Sequence, residues 1–450
     1  MPSDYGLVAL MNAVVPYFIL LVTFRLDTWI VQEKAFGEVE QQSVLSLLLL
    51  LGTVASITLF LLAPYFASFF EQEELVVLYR VVAITFLFRA PRTLSEAMLR
   101  RDLVFKPIAI MNVTVGVVRN TLQLILALVG FGYWALVLGL VFAEIIECLW
   151  LMRLATPSFR LRWDGALISR SLRFGLFAAG GSILWTLGST IDDIAIGKYL
   201  GEEILGFYSM AFMLSELPLS KFNNVVGPVL VSYYSRLKTE REELFRIFLR
   251  VIQGVGLVLG PVLLGMAIVA PELFGILLGS KWEPAIPMFQ VLCTVWILKA
   301  FCGNTSPLFF ALGLPQKIFN FNLLNCLLVA PAFLYLTPRY GMSGVYWTWI
   351  AFFPIAVLYL VFEVIRTSSI TVGQYLRNLI PPLVSSLVMS MGALGFRGIV
   401  GDAAPLFVLL IGSMFTGAAA YAAVLLLLFR EEAQGFYRVI TGKNVTSVSS

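Results

Sequence analysis

The chain has 450 residues, 59% of them hydrophobic and only 13% charged, with a net charge of +4 and a mean hydropathy of +0.90. A soluble domain carries about 25% charged and about 45–50% apolar residues, so this composition excludes a water-facing globular surface and specifies an integral membrane protein. The small, scattered positive charge excludes nucleic-acid binding, and the absence of histidine excludes His metal ligands, Ser-His-Asp or Cys-His catalysis and a histidine proton relay.

A helical span needs about 20 mostly apolar residues. In chain order the sequence predicts thirteen: 6–24, 43–66, 76–98, 107–129, 131–153, 174–197, 204–234, 249–270, 285–312, 317–337, 341–365, 377–396 and 404–429. These runs are continuous and about twice the length of barrel strands, so the fold class is an all-α polytopic membrane protein. The third, sixth and seventh are the least hydrophobic. The seventh contains Pro218 and Pro228, where a kink or break is expected.

Basic residues alternate between the loops. Arg25 and Lys34 follow the first span, and Arg100, Arg101 and Lys106 the third. Five arginines from Arg153 to Arg173 follow the fifth, and five basic residues from Arg236 to Arg250 the seventh. Lys317, Arg366, Arg377 and the tail residues Arg430, Arg438 and Lys443 continue the series. The opposite loops hold only Lys198, Lys281, Arg339 and Arg397. The positive-inside rule makes the first set cytoplasmic, with the C-terminus inside and, for thirteen spans, the N-terminus outside.

The odd number coincides with an internal repeat. Leu62-Ala63-Pro64 has a counterpart in Val269-Ala270-Pro271, and Leu87-Phe88-Arg89-Ala90 in Ile297-Leu298-Lys299-Ala300. Lys106 matches Lys317, Gly132-Tyr133-Trp134 falls at Tyr340-Gly341-Met342, and Gly6-Leu7-Val8-Ala9 aligns with Gly206-Phe207-Tyr208-Ser209. The offset stays between 200 and about 211 residues, the mark of two parallel six-helix lobes related by an axis along the membrane normal. The expected organisation is an N-terminal lobe of five helices over 1–153, a cytoplasmic linker over 154–173, a C-terminal lobe of six helices over 174–365, two additional helices over 366–429 and a tail over 430–450. The mate of 174–197 would precede Met1, so the first lobe is expected to lack its opening helix through truncation or a misassigned start.

Each ionised side chain at the centre of a span costs about 2.5–3.5 kcal/mol on insertion scales, yet several are kept. Arg80, Arg89 and Arg92 lie in the third span, Arg119 in the fourth, Glu144 and Glu147 on one face of the fifth, Asp192 and Asp193 in the sixth, Glu216 and Lys221 in the seventh, and Lys299 in the ninth. Arg92 with Glu96 fits an i,i+4 pair. Arg89, Arg119, Lys221 and Lys299 are the candidate substrate-binding residues, since cations lining a cavity suit a phosphate, pyrophosphate or carboxylate cargo. Asp192 and Asp193 suit either a coupling ion or an ion pair that holds the lobes together. No catalytic residue, metal site or cofactor is expected. Gly256-x-x-x-Gly260 and the cluster Gly175, Gly180, Gly181 fit close helix packing. The four cysteines lie in spans at no ligand spacing.

Several stretches resemble the polysaccharide-biosynthesis branch of the multidrug/oligosaccharidyl-lipid/polysaccharide exporter superfamily, the lipopolysaccharide and exopolysaccharide flippases with fourteen helices. They are Pro2-Ser3-Asp4-Tyr5-Gly6-Leu7-Val8-Ala9, Arg100-Arg101-Asp102-Leu103-Val104-Phe105-Lys106, Asp192-Asp193-Ile194-Ala195-Ile196-Gly197-Lys198-Tyr199-Leu200-Gly201 and Leu205-Gly206-Phe207-Tyr208-Ser209. The resemblance runs from residue 2 to about 365. It implies an inner-membrane transporter rather than an enzyme, whose cargo is an undecaprenyl-pyrophosphate-linked oligosaccharide passed to the outer leaflet for lipopolysaccharide or exopolysaccharide biosynthesis. It further implies that Arg89, Arg119, Lys221 and Lys299 contact pyrophosphate or acidic sugar, that the last two spans hold the lipid tail, and that membrane lipid, a polysaccharide polymerase and export machinery are partners. The alternatives are a cation-coupled multidrug exporter of the same superfamily, a membrane-embedded glycosyltransferase or polymerase, and a truncated chain that does not transport. The mostly basic mid-span charges favour the flippase over the first, and the short outside loops disfavour the second.

Overall fold

A computed structural model describes residues 1–33, 36–158, 160–237, 239–302, 305–368, 370–401 and 404–430. Lys34, Lys238, Arg438, Lys443 and the packing around Gly180 and Gly181 lie outside the described residues. All regular structure among the described residues is helical, and the chain divides into two compact units, Met1–Gly206 and Phe207–Ser450.

The first unit contains α1 (Pro2–Thr23), α2 (Leu26–Gln32), α3 (Glu38–Phe70), α4 (Glu74–Arg101), α5 (Phe105–Leu128), α6 (Tyr133–Ala155), α7 (Gly165–Leu200) and the first turn of α8 (Glu202–Arg236). The second holds the rest of α8, then α9 (Arg241–Ile268), α10 (Ala270–Leu277), a 3-10 segment (Ser280–Ala285), α11 (Ile286–Cys302), α12 (Thr305–Ala311) and α13 (Pro315–Tyr340). It ends with α14 (Met342–Trp347), one π turn (Thr348–Phe352), α15 (Phe353–Thr367), α16 (Val372–Val400) and α17 (Leu406–Leu428).

Each predicted span falls on helix, but only ten segments among the described residues are long and apolar enough to cross a membrane. The other three predicted spans fall on α4, α7 and α8, the ones that carry Arg80, Arg89 and Arg92, then Asp192 and Asp193, then Glu216 and Lys221. The expected break at Pro218 and Pro228 does not occur. Helix α8 runs without interruption, because a proline in a spanning helix removes a backbone donor without forcing the chain out of the helix. The chain breaks elsewhere: Phe24 and Arg25 both adopt left-handed backbone, at φ 43 and 56, and turn α1 into the short α2. Leu26, Trp29 and Ile30 of α2 then bury themselves with Val44, Leu45 and Leu48 of α3, Leu94 of α4 and Ile168 of α7. Helix α7 also packs along α1, where Tyr17 Oη and Thr190 Oγ1 lie 2.8 Å apart. The boundary between the units therefore falls at the start of α8, beyond α7.

The repeat is visible in backbone geometry. Helices α6 and α14 each follow a glycine in nearly the same conformation, Gly132 at φ 55, ψ −134 and Gly341 at φ 58, ψ −138, a region essentially reserved for glycine. Within the first unit, a Cβ on Gly6 would lie 1.8 Å from the carbonyl oxygen of Glu202, and one on Gly206 would lie 1.9 Å from that of Pro2. The two contacts exchange under a shift of 200 residues, as a local twofold requires. Backbone atoms cannot yield as a side chain does. Gly6→Ala should therefore destabilise the protein by about 1–3 kcal/mol, the cost of overpacking. Thermal unfolding in detergent checks this against Gly116→Ala, where a Cβ meets nothing within 4 Å. Equal melting of the two variants would refute the close crossing.

In the second unit α16 lies along α9, with α17 beside it. Gly256 and Gly260 face Pro382 and Ser386 of α16, so the small-residue spacing serves the close packing expected of it. Arg397 of α16 caps this contact by donating to the carbonyl of Ile268 and pairing with the buried Glu272 at 3.0 Å.

Candidate functional site

In the first unit α4 and α6 bring four charges together. Arg89 and Arg92 are three residues apart on α4, and Glu144 and Glu147 three apart on α6, so each pair lies on one helix face. Arg89 donates through Nε and Nη2 to the two oxygens of Glu144, at 3.1 and 2.6 Å. Arg92 donates through Nη1 to Glu144, at 2.8 Å, and its Nη2 lies 2.7 Å from a Glu147 oxygen. The expected Arg92–Glu96 pair does not form. Arg92 turns to α6, whose two carboxylates offer a better-satisfied partner, and Glu96 pairs with Arg100 one turn further along. Arg89 stands fifteen residues after Glu74 and twelve before Arg101, about 22 and about 18 Å along the axis at 1.5 Å per residue. It is therefore near the middle of the helix.

Beside this ladder is a cavity of about 140 Å³ lined by Thr23, Asp27, Arg89, Arg92, Thr93, Glu96, Ala97 and Arg100. It extends from the arginines towards the basic end of α4, and the left-handed turn after α1 brings Thr23 and Asp27 to its wall. Three guanidinium groups face two carboxylates in the lining. Asp27 Oδ1 is buried and accepts no hydrogen bond from the described residues. The two-pronged grip of Glu144 fixes the orientation of Arg89, while its Nη1 has no acceptor among the described residues. The volume suits a phosphate group with water and is too small for a sugar chain, since pockets for drug-sized ligands run to about 300–1,000 Å³.

In the second unit Lys299 of α11 lies 2.8 Å from Glu216 of α8 and 4.3 Å from the centre of the Trp296 ring. That indole is buried and donates to Ser215 Oγ at 2.9 Å. It packs edge-on against Phe212 and Trp349, whose own N–H donates to Tyr208 Oη. An aromatic wall thus fixes the position of Lys299, with a cation–π contact added to the ion pair.

The predicted binding residues therefore differ in state. Arg89 and Lys299 are carboxylate-bound. Arg119 is half-buried on α5 and Lys221 exposed on α8, and neither makes an ion pair or hydrogen bond to the described residues. Asp192 is 4% exposed and Asp193 half-buried within α7. Arg80 lies over the Phe60 ring at 4.9 Å. Sequence reasoning missed Asp27 and Thr23 as cavity residues, although the polar run Arg25-Leu26-Asp27-Thr28 after the first span was a signal. It also missed Glu363 and Glu272, both buried partners of basic residues counted as loop charges, Lys317 and Arg397. No group of His, Cys, Asp or Glu among the described residues has the arrangement of a metal site.

The family described as "Polysaccharide biosynthesis protein" matches residues 1–287. Lipopolysaccharide biosynthesis protein WzxC of Escherichia coli (strain K12) is 23% identical over 348 residues, which cover 76% of this chain and 70% of that protein. Teichuronic acid biosynthesis protein TuaB of Bacillus subtilis (strain 168) is 27% identical over 275 residues, 58% of this chain and 55% of the relative, so the match spans about half of TuaB. Among solved structures, the lipid II flippase MurJ in an inward closed conformation aligns with a TM-score of 0.76 over 95% of this chain and 93% of its own, at 14% identity. That likeness is one of fold.

Proposed function

The chain belongs to the polysaccharide biosynthesis protein family, and from that premise we propose that it moves a lipid-linked oligosaccharide from the cytoplasmic to the outer leaflet of the inner membrane. The cargo is an undecaprenyl-pyrophosphate-linked repeat unit, delivered for lipopolysaccharide or exopolysaccharide assembly and passed on to a polymerase. In this reading the basic loops and the C-terminus are cytoplasmic.

One observation carries the reading: a cavity running from the middle of α4 to its basic end whose wall presents three guanidinium groups, two of them held from behind by Glu144 and Glu147 of α6. A guanidinium held by a carboxylate on one edge can offer its remaining N–H groups to a phosphate oxygen without first being ordered, which is how arginine recognises phosphate. The cavity takes the pyrophosphate alone, so the sugar and the lipid tail lie outside it. Arg119, Lys221 and Lys299 are further candidate cationic contacts for the cargo, and Asp192 with Asp193 serves either as a coupling-ion site or as an ion pair.

The test uses the full chain in vesicles carrying a fluorescent undecaprenyl-pyrophosphate sugar on both leaflets, with a membrane-impermeant quencher added outside. Without movement about half of the fluorescence is protected. With an active flippase the protected fraction should fall well below half within minutes. A protected fraction equal to that of protein-free vesicles overturns the reading. Uptake of a lipophilic cation in place of the sugar would assign the chain to drug export.

A further inference from the structure

The segment that joins α6 to α7 carries an unusual combination of exposed groups. Leu161 is 69% and Trp163 58% exposed, and they alternate with Arg160 and Arg162, which are also exposed. Arg153 and Arg173 flank the segment, exposed as well. None of these four arginines has a carboxylate partner among the described residues. The one acidic residue of the segment, Asp164, is occupied as a helix cap, its Oδ1 accepting from the N–H groups of Ala166 and Leu167. Arg170, further along α7, is taken by Glu33 at 3.0 Å.

Hydrogen bonds to α3 set the depth of this segment. Ser158 Oγ donates to Glu38 Oε1 at 3.2 Å and accepts from Gln42 Nε2 at 2.9 Å, at the charged start of α3. The N–H of Arg162 donates to Ser46 Oγ at 3.1 Å. Ser46 lies eight residues into α3, about 12 Å along its axis, just inside the apolar run that opens at Val44. The chain thus descends from the polar end of α3 to the edge of its hydrocarbon-spanning part. At that level an indole and a leucine meet headgroup and upper acyl chain, the layer that tryptophan prefers. Arginine stems beside them reach back to the phosphates.

We propose that Arg153, Arg160, Leu161, Arg162, Trp163 and Arg173 form an interfacial anchor that binds acidic phospholipid headgroups of the leaflet bordering the basic loops. Four uncompensated guanidinium groups supply the attraction, and Leu161 and Trp163 supply the seat. The occupant is the bilayer itself, because the depth that α3 imposes puts the apolar pair against lipid rather than in free solution.

The experiment equilibrates the full chain with mixed phosphatidylglycerol and phosphatidylcholine and measures the ratio of the two lipids that stay bound after gentle extraction. The wild type should retain phosphatidylglycerol preferentially. Arg160→Gln with Arg162→Gln should lower that preference by about fivefold or more for each charge removed, and Arg160→Lys with Arg162→Lys should keep it. An unchanged ratio in the glutamine pair overturns the proposal, as does an equal loss in the lysine pair. A second measurement does not depend on those variants. A fluorophore on Leu161→Cys should be quenched by lipid carrying a nitroxide near the headgroup. Absence of quenching overturns the proposal and points to a protein partner on this face instead.

Discussion

Arg89→Ala should cut polysaccharide export by about ten- to a hundredfold while the protein reaches the membrane at its normal level. A hydrogen bond to a charged group is worth about 1.5–3 kcal/mol, and each 1.4 kcal/mol is about a factor of ten. The geometry explains why the loss should fall on transport and spare folding. Glu144 keeps its bond to Arg92 at 2.8 Å when Arg89 is removed, so no buried carboxylate is orphaned. The cavity wall loses one of its three guanidinium groups. Lys299→Ala should impair export in the same direction, and Arg80→Ala, which removes a contact to the Phe60 ring and no cavity residue, should be tolerated. Surface polymer in a complemented exporter-deficient strain, normalised to immunoblot, is the measurement. Equal export by all three variants would remove Arg89 and Lys299 from the mechanism.

Glu144→Ala should act the other way round, on stability first. It strips Arg89 of both acceptors and leaves Arg92 only Glu147. Breaking a buried pair on one side costs about 3–5 kcal/mol, since the surviving charge stays desolvated and unpaired. Glu147→Ala should cost less, because Arg92 keeps Glu144. The double variant Arg89→Ala/Glu144→Ala should melt closer to wild type than Glu144→Ala alone and still fail to export. Thermal unfolding in detergent separates these outcomes. A Glu144→Ala protein as stable as wild type would show that the ladder holds nothing together. A double variant no more stable than the single would show that its cost lies elsewhere than in an orphaned arginine.

The ion pairs explain which parts of the site could be read from the chain. Arg92–Glu96 satisfies the helical spacing, but so does Glu96–Arg100, and nothing local chooses between them. The choice is made by Glu144 and Glu147, which lie 52 and 55 residues beyond Arg92 and reach it only because α4 packs on α6. The same holds for Lys299 with Glu216 and Arg397 with Glu272. Pro218 is the converse case. Its local rule predicts a break, and the helix continues because its neighbours, not its own sequence, decide the outcome.

Taken alone, the chain determined its solvent, its helices and its 200-residue repeat. Each of these follows from the composition or periodicity of contiguous residues, which the bilayer reads directly as transfer free energy. Only the tertiary structure decided which carboxylate holds which cation, and that Asp27 and Thr23 share a cavity with Arg89. Those outcomes depend on the axial register and rotation of one packed helix against another. Many side chains from several helices set that register together, and an error of a single turn, about 5.4 Å, exchanges every partner.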